Sequence, residues 1–134
     1  MADAVTSQTL VYNQTTAVML FTNISDATGE SLVTKVNVAN LAANALGQAC
    51  TGVSVQKIHT ACHGMEFRLF WGATSNVFFF GSAQNNQATF DLSNFGGLRN
   101  NAGAGKTGNI LLSTADASSG DTYTLILEMT KYYN

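Results

Sequence analysis

Short runs of alternating apolar and polar residues, separated by turn-forming residues, recur along the chain. The clearest run is 66–71, in which Phe67, Leu69 and Trp71 would share the inward face of a β-strand. A second run is 121–131, whose inward face would be formed by Tyr123, Leu125, Leu127 and Met129. This period of two predicts half-buried antiparallel strands at both places.

Seven more stretches have the composition of strands. They are residues 6–11, 17–22, 32–38, 53–61, 77–80, 87–92 and 110–114. Turn residues predict two hairpins, one joining 17–22 to 32–38 and one joining 66–71 to 77–80. The loss of alternation near Lys57 and Ile58 predicts a β-bulge. Only residues 39–47 have helix-like composition, and we expect one or two helical turns there, ended by Gly47.

These elements predict an all-β fold in a single domain over residues 1–134. We expect an antiparallel β-sandwich or barrel-like domain of about nine short strands with one short helical bridge. A chain of this length buries enough surface for an ordinary core. Because the sequence contains no proline to blunt an edge strand, loops, bulges or neighbouring subunits must cover the sheet edges.

Three consecutive phenylalanines, Phe78, Phe79 and Phe80, lie in one predicted strand. Because strand side chains alternate, at least one ring must lie on the face opposite the core. With Phe70 these rings would form an exposed aromatic patch suited to a protein contact. The alternative is a strand buried on both faces, which the apolar run equally allows.

The composition favours contact with other protein. The chain is 46% hydrophobic and only 10% charged, against roughly 25% charged residues in a typical soluble domain. Interface cores are similarly depleted in charge. The net charge is −2 and the six basic residues form no cluster in the sequence, so we predict neither nucleic-acid binding nor attachment to an anionic membrane. Apolar runs such as 77–80 are too short to span a bilayer, and the start of the chain has no signal-peptide pattern, which predicts synthesis in a cytoplasm.

A glycine-rich stretch, residues 91–114, contains five of the twelve glycines. Its Gly105-Lys106-Thr107 resembles the end of a phosphate-binding loop, but Asn100 occupies the position of the first glycine. That motif also requires a following helix, whereas the next apolar run has the pattern of a strand. We therefore predict a long surface loop that binds no nucleotide. Loops of this length are usually functional or disordered, and we predict partner contacts at Arg99, Asn100, Asn101 and Lys106.

The sequence offers little candidate chemistry. His59, Cys62 and His63, with Cys50 upstream, are the only metal-like grouping. In a strand Cys62 would point away from the two histidines, and the spacing differs from that of structural zinc sites. We predict no metal or cofactor, free thiols in a reducing compartment, and a surface ion pair between Glu66 and Arg68. No paired carboxylates or marked nucleophile and base appear, so we predict no catalytic residues and no enzyme activity.

Three segments resemble a family of small structural proteins of tailed bacteriophages. The segments are FTNISDATGESLVTKVNVANL (21–41), FGGLRNNAGAGKTGNILLST (95–114) and SGDTYTLILEMTKYY (119–133). Some members of that family lie beside the major capsid protein and are thought to decorate or cement the head. The resemblance implies that the glycine-rich loop with Lys106 is a structural family signature.

We therefore expect a virion structural protein, made in the bacterial host cytoplasm and located on the capsid surface. Its predicted function is decoration or cementing of the major capsid protein lattice, as a homo-oligomer or many-copy assembly. One alternative is a neck or tail component of the virion. Another is a carbohydrate-binding module for host surface glycans, for which Trp71, Tyr132 and Tyr133 are the available aromatic residues.

Overall fold

The computed structural model of the chain describes residues 3–133. Nine strands follow one another: β1 (Ala4–Tyr12), β2 (Thr16–Asp26), β3 (Val33–Val36), β4 (Gly52–His63), β5 (Glu66–Trp71), β6 (Val77–Ser82), β7 (Gln87–Asp91), β8 (Ile110–Ala115) and β9 (Ser119–Tyr132). Two short 3-10 helices, Val38–Asn40 and Ser93–Phe95, lie in the connections. The all-β sandwich predicted from the hydrophobic pattern is confirmed.

The strands form two antiparallel sheets that pack face to face. The five-stranded sheet has the order β1-β2-β9-β4-β7, and the four-stranded sheet has the order β3-β8-β5-β6. The longest strand, β9, lies at the centre of the larger sheet, where it pairs with both β2 and β4. Because β9 has an apolar face of alternating residues, it supplies much of one wall of the core.

The core lies between the inner faces of the two sheets. Phe67, Leu69 and Trp71 of β5 are fully buried on one side. Four side chains of β9 face them at 1% exposure or less: Tyr123, Leu125, Leu127 and Met129. Both inward faces therefore agree with the alternation in the sequence.

The predicted hairpin between β2 and β3 is wrong. β2 pairs with β1 and β9, whereas β3 crosses to the other sheet and pairs with β8. The connection is held at Glu30, whose backbone N–H donates to the hydroxyl of Thr114 at 2.8 Å and whose carbonyl accepts from the Thr114 N–H at 2.9 Å. A pattern of apolar residues fixes the faces of a strand but not its neighbours, so it could not distinguish this crossing from a hairpin.

The predicted helical bridge at residues 39–47 is reduced to the three-residue 3-10 turn Val38–Asn40 and a separate turn at Asn44 to Gly47. Asparagine side chains hold both turns. Asn37 accepts from the N–H of Ala39 at 3.1 Å, and Asn44 accepts from the N–H groups of Leu46 and Gln48, each at 3.0 Å. Such local side-chain bonds compete with the hydrogen bonds of an α-helix.

The bulge predicted in the fourth strand is confirmed, since the pairing of β4 with β9 shifts register between Val55 and Lys57. On its other side Val55 forms an isolated bridge with Leu98 of the glycine-rich loop. The predicted hairpin of β5 and β6 is also confirmed. The sequence could predict both features, because the hairpin joins strands that are close in sequence and the bulge coincides with a local break in alternation.

Candidate functional site

An open cleft of about 380 Å³ lies between the glycine-rich loop, the start of β4 and the end of β9. Its walls include Thr51, Gly52, Arg99, Asn100, Lys106 and Tyr132. We call it the basic cleft. Three of the four loop residues predicted as partner contacts, Arg99, Asn100 and Lys106, therefore lie together, although six residues lie between Arg99 and Lys106 in the sequence. Asn101 is exposed beside the cleft.

Backbone hydrogen bonds hold the loop at both of its ends. Leu98 and Val55 exchange bonds of 2.7 and 3.0 Å, which fixes the chain directly before Arg99. The N–H of Thr107 donates to the carbonyl of Gly72 at 3.0 Å, which fixes the chain directly after Lys106. The two basic side chains therefore project from anchored backbone. Neither the 3-10 helix Ser93–Phe95 nor the bridge at Leu98 corresponds to a recognisable pattern in the sequence.

Most cations of the chain have a compensating neighbour. Lys35 pairs with Glu30 at 2.5 Å, Arg68 pairs with Glu66 at 2.8 Å, Lys57 faces Asp91 and Glu128 on adjacent strands, and Lys131 lies 4.3 Å from the ring centroid of Tyr12. Arg99 and Lys106 are different, since neither has an acidic partner within residues 3–133. Among residues 3–133, these two of the six basic residues thus have no compensating neighbour, and both line the same cleft. Such a cleft attracts an anionic group.

The aromatic residues of β6 divide between two faces. Phe78 is 54% exposed and packs edge-on against Phe70, with ring centroids 5.9 Å apart. Phe79 stacks on buried Trp71 at 4.1 Å, and Phe80 packs against Phe90 of β7 at 5.2 Å. The exposed part of the predicted aromatic patch therefore consists of Phe78 with the half-buried Phe70.

Trp71 cannot provide a platform for a sugar ring, because its side chain is fully buried. Its partners are core residues and Phe79. Tyr132 is 38% exposed and donates its hydroxyl hydrogen bond to Ser54, and the hydroxyl of Tyr133 bonds the carbonyl of Gln14. The aromatic set expected of a carbohydrate site is therefore not assembled on one surface.

His59 lies in a hydrogen-bonded chain on the outer face of the larger sheet. Its Nε2 lies 2.5 Å from Glu128 Oε2, and its Nδ1 lies 3.2 Å from Thr89 Oγ1. A hydroxyl, an imidazole and a carboxylate in this order resemble the groups of an acyl-transfer site. However, β4 and β9 are interior strands whose amides are engaged in the ladder, so they offer no N–H pair to hold an oxyanion. Sequence reasoning missed Thr89 and Glu128 because only the strand register brings them to His59.

The cysteines are free and buried. Cys50 precedes β4 and Cys62 lies near its far end, and a strand rises roughly 3.3 Å per residue, so the thiols are far beyond disulfide distance. Cys62 is buried while His63 is exposed on the opposite face, as strand alternation predicts. Within the described part of the chain no three His, Cys, Asp or Glu residues are grouped to hold a metal ion.

Among the described residues, the larger sheet has an unpaired edge at β1. β1 is the outermost strand of the larger sheet, and all nine of its residues are exposed. Its apolar residues Val5, Leu10 and Val11 are 42%, 45% and 48% exposed. The sequence predicted this strand but not that it would lie at an edge.

No protein-family model matches the chain, and a search of curated proteins finds no match. Among the residues that the structure describes, no helix has the length and apolar character needed to cross a membrane. The fold defines an all-β sandwich, and its candidate contact surfaces are the basic cleft, the Phe78 patch and the β1 edge.

Proposed function

We propose that this chain is a structural subunit of a bacteriophage virion that decorates the head and cements the major capsid protein lattice. The single observation that carries the proposal is the pair of uncompensated cations, Arg99 and Lys106, in one cleft of a charge-poor molecule. The resemblance of three segments to tailed-phage structural proteins supports the same function. Two of those segments, 95–114 and 119–133, supply Arg99, Lys106 and Tyr132 to the basic cleft.

The basic cleft receives an acidic segment of the capsid protein. Arg99 and Lys106 project from backbone anchored at Leu98 and Thr107, so little side-chain and loop freedom is lost on binding. Arg99 can form a bidentate pair with a carboxylate, and Lys106 adds a second positive charge. Around these ions the surface is rich in uncharged residues, whose desolvation costs less than that of further charges.

Cementing follows from mass action. A subunit that binds the assembled lattice better than separated capsid proteins stabilises the lattice, and the stabilisation rises with the logarithm of its free concentration above the dissociation constant. Symmetric repetition of one contact over the head allows individually modest contacts to stabilise a large particle. No chemical step is required of the subunit.

The test is to locate and count the chain in purified virions. Cryo-electron microscopy should show this sandwich on the outer surface of the head, with the basic cleft against the capsid protein. Gel quantification should give hundreds of copies per particle, as symmetric coverage of a lattice requires. A ring of about six or twelve copies would instead indicate a neck or tail component. Absence from the particle would reject the virion function altogether.

A further inference from the structure

We propose that the chain self-associates through β1, whose free edge pairs antiparallel with β1 of a second copy. The inference does not rest on the proposed function. It rests on the position of β1 as the outermost strand of the five-stranded sheet and on the exposure of all nine of its residues. A free edge presents unpaired N–H and C=O groups, which another strand can bond.

β1 has almost none of the features that protect sheet edges. It contains neither charge nor proline, and charged residues and proline are the usual means of blocking edge pairing. The opposite edge strand, β7, is shorter, ends at Asp91, and is closed against β6 by the packing of Phe90 on Phe80. The one protective feature of β1 is a bulge between Thr9 and Val11, which leaves Ala4 to Thr9 as a regular segment.

Apolar side chains accompany the free backbone. Val5 is 42% exposed within the regular segment, and Ile24, which pairs with Ala4 from β2, is 58% exposed. The facing strand of the smaller sheet, β3, has only four residues and leaves an open space beside Ser7 and Thr9. A strand added to β1 would lie beside Val5 and cover it, as well as bond the backbone.

A second copy fits this edge because the segment is self-complementary. Paired residues of antiparallel strands point to the same face, so a two-fold axis perpendicular to the sheet must pass midway between a residue and its own copy in the second chain. Within Ala4 to Thr9 the longest pairing results when the residue paired with its own copy is Thr6 or Ser7. In either register every pair formed within Ala4 to Thr9 is uncharged, and Val5 lies opposite Ser7 or Thr9. Two five-stranded sheets would then join into one continuous sheet.

The contact is small. About five residues from each copy pair, which places the interface at the low end of the range for specific association. We therefore expect a reversible dimer with a dissociation constant on the order of 10–100 µM. In a many-copy assembly such a contact would act together with others.

The test is analytical ultracentrifugation of the purified full chain and two threonine-to-lysine variants. Thr6→Lys places two ammonium groups within one residue pair of the two-fold axis, and their repulsion should raise the dissociation constant by roughly two- to fivefold. Thr89→Lys is the matched control, since Thr89 is an exposed residue of the opposite edge strand and, like Thr6, bonds a side chain of the neighbouring strand. It should dimerise as the wild type does.

A Thr6→Glu variant should also dimerise more weakly than the wild type, and an equimolar mixture of Thr6→Lys and Thr6→Glu should restore the dimer. Fluorescence of buried Trp71 verifies that each variant is folded. Hydrogen exchange should show protection of residues 4–9 that rises with wild-type concentration. A wild type that stays monomeric at about 500 µM, well above the expected constant, would overturn the proposal. So would a dimer that Thr6→Lys leaves unchanged.

Discussion

Glu30 shows how a single residue organises the crossing between the sheets. Its side chain is 6% exposed and forms an ion pair with Lys35, itself 5% exposed, at 2.5 Å. The amide of Asn23 and the hydroxyl of Tyr123 each donate to Glu30 at 2.7 Å. A buried charge is tolerated only when its hydrogen-bonding capacity is used in this way. These bonds join β2, β9 and the connection to β3.

Tyr123 should make stability depend on pH in the alkaline range. Burial, together with the hydrogen bond to Glu30 and the charge of Glu30, raises the pKa of Tyr123 well above its ordinary value of 10.0. Because the folded state holds the phenolic proton more tightly, this stabilisation is complete below the unfolded pKa of about 10. It is lost as the pH rises above that value, by up to about 1.4 kcal/mol per pH unit.

The check is urea unfolding of wild type and Tyr123→Phe between pH 9 and pH 11, a range that spans the unfolded tyrosine pKa of about 10. The free energy of unfolding should fall more steeply for the wild type above pH 10 than for the variant. Tyr132→Phe is the control, because Tyr132 is 38% exposed. It should retain the wild-type slope. Equal slopes in all three proteins would show that Tyr123 does not carry the effect.

At the scale of elements, the glycine-rich loop is shaped by close backbone approaches as well as by hydrogen bonds. Gly108 is buried and has a φ of +83°, and a Cβ placed there would lie 2.3 Å from the carbonyl oxygen of Thr51. Glycine is therefore needed both for the left-handed backbone and for the space. Gly103, in the same loop, has no atom within 4 Å of such a Cβ.

Gly108→Ala should lower the free energy of unfolding by about 2–3 kcal/mol, because it adds backbone strain and a steric clash. It should also disturb the basic cleft, whose wall includes Gly108. Gly103→Ala should change stability by less than about 0.5 kcal/mol, as expected for an open surface position. Chemical denaturation of the two variants provides the comparison. A similar cost for both would mean that the loop is not held at Gly108.

At the scale of the whole molecule, the sheet faces, the basic cleft and the β1 edge differ in the charges that they carry. Charges on the sheet faces occur mainly in compensated sets, such as Lys57 with Asp91 and Glu128. Arg99 and Lys106, which have no acidic partner within residues 3–133, lie in the basic cleft, and β1 carries no charge at all. A contact at the cleft should therefore depend on salt, whereas self-association through β1 should not.

The proposed function predicts that removing both cations of the cleft weakens binding to capsids that lack this subunit. We expect Arg99→Gln with Lys106→Gln to bind at least tenfold more weakly, a change of about 1.4 kcal/mol, because the carboxylates of the partner lose their counter-charges. The salt dependence of binding should also become flatter. Quantitative co-sedimentation with capsids at several salt concentrations measures both effects.

The matched control is Lys57→Gln with Arg68→Gln, which also removes two positive charges, but at positions outside the cleft. Arg68 is an exposed member of a surface ion pair with Glu66, and such pairs contribute little to stability. This control should bind as the wild type does. Equal weakening in both double variants would indicate a general charge effect and would argue against the cleft as the contact.

The alternation of side chains predicted most of the strands and their buried faces, but it predicted less of how the strands are arranged in the sheets. Residues 66–71 and the inward face of the last strand were correctly predicted, because a period of two reports directly which side of a strand is buried. The hairpin between β2 and β3 was not, because strands that are adjacent in sequence need not be adjacent in a sheet. The helical bridge failed because Asn37 and Asn44 bond their own backbone.

The sequence by itself determined that this chain forms an all-β core, that its loop has no phosphate-binding helix, and that Arg99, Asn100 and Lys106 lie on a loop. These properties depend on local composition and period. Only the tertiary structure decided that Arg99 and Lys106 share one cleft with Tyr132, that Thr89 and Glu128 meet His59, and that β1 is an open edge. The physical reason is that strand order and register are set by contacts between residues far apart in the chain.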